Sequence, residues 1–84
     1  MLSKGLQPED VVMMAFSSDP TEKLPPFYLF SAETGDILAG PFDRVAKALS
    51  AARFLARQRG GRAWHKRTTP DAHGEAETAL YDID

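Results

Sequence analysis

The sequence reads as an α+β fold, an antiparallel sheet of three to five strands with one main helix (43–59) packed on one face. Three observations carry that reading. Residues 43–61 hold a helical pattern with both a start and a stop. Residues 27–39 hold an aromatic strand, a tight turn and a returning strand. Residues 62–84 hold two stretches whose side chains alternate.

The 84 residues are enough for one small domain with one modest core, and 43% of them are apolar, as in ordinary globular chains. Residues 1–7 lack any periodicity and are expected to be flexible, as is 68–76. Pro8-Glu9-Asp10 resembles a helical first turn, with proline leading and acids behind it. Val11 to Phe16 follows as a short run that is apolar on every side. Such a run suits either a buried strand or a buried helix; its brevity and its two valines favour the strand. Met13 and Met14 read as core filler rather than as ligands. Ser17 to Pro26, with three prolines and no apolar repeat, is a loop; Ser17 and Ser18 have no base in recognisable relation to them and read as turn residues.

Phe27-Tyr28-Leu29-Phe30 is the clearest strand. Ala32 to Asp36 turns the chain, with Gly35 placed for positive φ, and Ile37-Leu38-Ala39 returns beside it. Gly40-Pro41-Phe42 is expected to end that strand and deliver the chain to the helix. Proline removes an N–H from this connector, which therefore makes no phosphate cradle.

In the helix, Asp43 is the expected N-cap, because its carboxylate can accept from first-turn N–H groups. Gly60 and Gly61 supply the stop, and Arg57 and Arg59 lie in the last turn, where the helix dipole favours cations. A turn of ~100° per residue puts Val45, Ala48, Leu49, Ala52, Leu55 and Ala56 on one side, a small-sided stripe suited to close packing on a sheet. Lys47, Arg53, Arg57 and Gln58 fall on the other side, and so does Phe54. An outward ring framed by cations is the composition of a binding centre; a ring covered by the chain's own C-terminal end is the plainer alternative.

After Gly61, an extended segment places Arg62, Trp64 and Lys66 on one face and Ala63, His65 and Arg67 on the other. Trp64 is expected beneath the helix. Residues 75–84 form a last strand with Ala79, Tyr81 and Ile83 in alternation.

The net charge of −2 conceals an asymmetry. Residues 1–42 hold two bases and six acids, 43–67 eight bases and one acid, and 68–84 five acids and no base, giving −4, +7 and −5. Antiparallel pairing of the two last strands would set acids against bases across the ladder and account for the pattern structurally.

Two function classes compete. The favoured one is a non-enzymatic protein-interaction module, of accessory or inhibitory type, which binds a macromolecular partner through the outer helix face: Phe54, Lys47, Arg53, Arg57 and Gln58. The alternative is a nucleic-acid-binding module that uses Arg57, Arg59, Arg62, Trp64, Lys66 and Arg67, with guanidinium groups on phosphates and the indole on a base. An acidic pI of 5.6 opposes that alternative. A homodimer is a further form to expect of either. No catalytic residue, metal or cofactor is assigned. Asp71, His73 and Glu75 with His65 are a metal-like grouping, but D-x-H-x-E is no recognised ligand spacing. With no cysteine, no signal-like N-terminal run and no membrane-length apolar segment, a cytoplasmic protein without membrane contact is expected.

Overall fold

A computed structural model describes residues 5–16, 21, 23–70 and 76–83; the side chains of 68–70 and 76–78 lie outside the description. The elements are β1 (Val11–Ala15), β2 (Phe27–Ser31), β3 (Ile37–Phe42), α1 (Val45–Arg59), β4 (Ala63–Pro70) and β5 (Ala76–Asp82). They form the expected α+β architecture: one five-stranded sheet in the order β3-β2-β1-β4-β5 with α1 packed against it. All pairings are antiparallel except the central β1–β4, which is parallel because the chain crosses from the β3 edge through α1 before pairing again.

The apolar run at 11–15 is a strand, and its place in the sheet explains why it is apolar on every side. It is the central strand, with β2 on one flank and β4 on the other. Val11 and Met13 face α1, while Val12 and Met14 face away from it. The turn-forming Pro8 and Glu9 start no helix; the Asp10 N–H closes a turn onto the Gln7 carbonyl at 3.0 Å.

Under α1, Ala48, Ala52 and Ala56 are fully buried against Val11, Met13, Leu29 and Ala63. Alanine on the helix and alanine at 63 let the backbones approach closely, and Leu49, Leu55, Phe27 and Phe42 fill the margins. Val45, expected in the same stripe, is 45% exposed. It is the first residue of α1.

Three further expectations are corrected. Asp43 is not the N-cap: the chain stays extended through Arg44 (φ −128°, ψ 138°), so the helix starts one residue later and has no side-chain cap. The Asp43 carboxylate instead meets Lys47 Nζ at 3.5 Å, one turn along. Gly40-Pro41-Phe42 does not end β3 but belongs to it. Proline is tolerated there because β3 is an edge strand whose outer N–H groups have no ladder to join. Trp64 is not beneath the helix: Ala63 and His65 take the helix side of β4, and Trp64 packs on the far side with Leu6, Val12 and Ala32.

The helix stop is as expected, with Gly60 left-handed at φ 75°. Gly61 has a different role. A Cβ there would stand 2.3 Å from the Glu9 carbonyl oxygen, so only glycine lets the end of α1 pass the residues that lead into β1. The expected flexible segments fall partly on Leu6, which is 9% exposed in this packing, and on the ends of β4 and β5; 1–4 and 71–75 lie outside the described residues.

Candidate functional site

The outer face of α1 is built by helical spacing alone. Lys47, Ser50, Arg53, Phe54, Arg57 and Gln58 are all exposed, and the Phe54 ring is 62% exposed although it belongs to the segment that covers the core. The C-terminal end does not cover it. Ile83 packs against the core edge, its N–H bonds the Ala63 carbonyl at 3.0 Å, and Arg53 Nη2 donates to the Ile83 carbonyl at 3.2 Å. Arg53 thus fastens the chain end beside α1, Lys47 is shared with Asp43, and the Arg57 side chain makes no hydrogen bond or ion pair with a described residue, while its carbonyl accepts from the Gly60 N–H at 3.2 Å.

The basic residues of the alternative set do not form one surface. Arg57 points out from α1. Arg59 turns to the start of the chain, donating from Nε to the Glu9 carbonyl and from Nη2 to the Pro8 carbonyl, both at 3.3 Å, and to Ser31 Oγ at 3.5 Å. Pro8, Glu9, Glu33 and Arg59 line a shallow open depression of about 350 Å³ whose one cation is already committed to the Pro8 and Glu9 carbonyls. Arg67 lies on the helix side of β4, 5.8 Å from the Tyr81 ring. Arg62, Trp64 and Lys66 lie together on the other side, as their alternation requires.

Asp10 organises that side and carries no weight in the sequence reading. It is 1% exposed. Its Oδ1 accepts from the Arg62 backbone N–H at 2.8 Å, and its Oδ2 accepts from the Gln7 N–H at 3.0 Å and from Trp64 Nε1 at 2.9 Å. Burial alone would raise its pKa. The donations from Arg62, Gln7 and Trp64, with the Arg62 charge beside them, outweigh burial and hold the carboxyl below its ordinary value. A lone acid before an apolar strand offers no signal of this in sequence, because its partners stand more than fifty residues away at 62 and 64.

The expected acid–base ladder between β4 and β5 is also corrected. Lys66 stands opposite Leu80 and Arg67 opposite Ala79, so the register sets these two bases against apolar residues. Among the described side chains of the two strands and their flanks, Arg62 pairs with Asp82, and the Arg62 guanidinium lies 5.4 Å above the Trp64 ring. His65, under α1 and in edge contact with Phe27 at 6.1 Å, has its pKa lowered by burial and then by the Arg67 charge.

A feature not weighed from sequence completes this far side. Phe16 meets Tyr28 edge-on at 6.0 Å, and Tyr28 lies 6.3 Å from Phe30. By register Met14, Tyr28, Phe30 and Trp64 all point away from α1. The signal was present: an FYLF strand is aromatic on both sides, so a helix can cover only half of it.

No grouping of three or more metal-ligating side chains occurs among the described residues; Asp71, His73 and Glu75 lie outside them. No helix is long and apolar enough to cross a membrane. No protein-family model matches the chain, and no curated protein or solved structure is significantly similar to it.

Proposed function

We propose that the chain is a non-enzymatic interaction module, accessory or inhibitory in kind, which holds an acidic surface of another protein against the outer face of α1. Phe54 is the apolar anchor, Arg57 the principal orienting charge, and Lys47, Arg53 and Gln58 form the polar rim. The observation that carries this reading is the 62% exposure of the Phe54 ring beside cations, on a helix whose opposite side is packed tightly enough to need alanines. Aromatic and arginine side chains concentrate at the energetic centres of interfaces, and this ring stands exposed among cations on the outer face of α1. The cations favour an acidic partner and speed its encounter.

Replacing Phe54 by a photo-crosslinking phenylalanine analogue in the producing cell, then identifying the captured species, tests this. The expected result is one protein, crosslinked from position 54, whose affinity for the purified chain falls about thirtyfold in Phe54→Ala, as for loss of an interface hot spot. Weaker capture in Arg57→Glu and at raised salt is expected as well. A folded Phe54→Ala chain with unchanged affinity for that protein would end the reading.

A further inference from the structure

We infer that the sheet face turned away from α1 binds single-stranded nucleic acid, with bases against Phe16, Tyr28 and Phe30 and the backbone against Lys66. This goes beyond the proposed partner of α1 and uses the opposite side of the molecule.

An antiparallel sheet with one covered face normally presents polar residues on the other. Here the register places Met14, Tyr28, Phe30 and Trp64 there, and Phe16, 48% exposed, extends the row of rings past the end of β1. The N-terminal residues close one end of this face. Leu6 packs on Val12, with Trp64 and Leu80 beside it, and Asp10 pins the segment to Arg62 and Trp64. The end away from that segment is the aromatic one, at Phe16 and Tyr28, with Lys66 next along β4 after the last β1–β4 pair, Met13 with His65.

The occupant follows from area and chemistry. Five strands of 5, 5, 6, 8 and 7 residues, about 4.8 Å apart and rising about 3.3 Å per residue, give roughly 500 Å² of face, less than the ~800 Å² that each partner of a stable dimer contributes. The N-terminal segment already covers part of that. So small a surface suits a ligand only a few residues wide. A half-exposed ring at Phe16 with two partly buried rings beside it, bordered by a cation, matches a polyanion whose repeating units carry π faces, and such stacking tolerates any base. Of the described acids on this side, Asp10 is buried and accepts three hydrogen bonds, and Asp82 is paired with Arg62.

Fluorescein-labelled oligothymidine and oligouridine of about fifteen nucleotides, titrated at 50 and 200 mM NaCl with anisotropy and Trp64 emission read together, test the inference. Binding is expected at the lower salt, weakening at the higher. Phe16→Ala and Lys66→Glu, each confirmed as folded by circular dichroism, are each expected to weaken it about tenfold. Phe54→Ala should bind the strand as before, so the two proposals fail separately. No binding at 50 mM salt would overturn the inference. So would binding that heparin abolishes and Phe16→Ala leaves unchanged, since that is attraction of charge without the rings. A doubled mass in solution that returns to monomer in Phe16→Ala would assign the face to a second copy instead.

Discussion

Trp64 Nε1 donates to Asp10 Oδ2 at 2.9 Å, and this contact ties the strand after the helix to the segment before β1. It sets an indole, the chain's one tryptophan, on a carboxylate that is 1% exposed. Because three donors converge on that carboxylate, its loss is felt on both segments.

Asp10→Ala should destabilise the fold by about 3 kcal/mol, since three part-buried donors lose their acceptor together. Asp10→Asn, which keeps an acceptor oxygen, should cost less. Urea unfolding followed by tryptophan emission checks both, and the native Trp64 spectrum should shift in Asp10→Ala before any unfolding.

Asp10 also sets an acid limb of stability. Its folded pKa lies below the unfolded value of about 3.9, so its stabilisation is complete above that pH and is lost as pH falls through the folded pKa. Asp10→Asn should flatten the acid end of a stability–pH curve relative to the parent chain. An unchanged slope below pH 4 would mean that the three hydrogen bonds do not favour the ionised form.

His65 acts at higher pH with the same sign. Burial and then the neighbouring Arg67 lower its pKa, so it is neutral in the fold, and its stabilisation, present above the unfolded value of about 6.5, is lost as pH falls through the folded pKa. Titration of its ring protons by NMR should give a midpoint below that of a free histidine, and removing the Arg67 charge should move it back upward.

Gly61→Ala should destabilise the chain by about 1–3 kcal/mol or more, because the new methyl group would stand 2.3 Å from the Glu9 carbonyl oxygen. Gly60→Ala tests a different cost, that of a left-handed backbone, and should be milder since nothing lies within 4 Å of its added carbon. Thermal unfolding of the two variants side by side separates contact from conformation.

Phe54→Ala should change stability by no more than about 0.5 kcal/mol, whereas Leu29→Ala, at a fully buried position, should cost about 2–5 kcal/mol. A large effect at Phe54 would show that the ring helps to hold the fold.

The sequence pattern revealed most where a local rule was sufficient. Helical spacing located the packed alanines and the outward Phe54, and period two separated Ala63 and His65 from Trp64 and Lys66. It did not reveal which side of β4 the helix would take. That depends on the crossover from β3 and on the space Ala63 leaves for Ala52 and Ala56, and neither can be inferred from a window of neighbouring residues. Asp43 looked like a cap because capping chemistry is local, yet the extended exit from β3 moved the start of α1 past it. Asp10 was illegible for the opposite reason: all its meaning lies in partners brought to it by the fold. The second aromatic face is legible in FYLF, because a strand with rings on both sides can give only one of them to a single helix.

The two borders of the sheet are unlike. On one, Pro41 offers no donor and the pairing of β3 with β2 is irregular; on the other, β5 runs seven residues in unbroken register with β4 and holds no proline. Strand addition therefore has a polarity in this molecule. An invading peptide, or a misfolded neighbour seeding a fibril, finds a template along β5 and a blunted rim along β3, so self-templated growth would proceed from a single side.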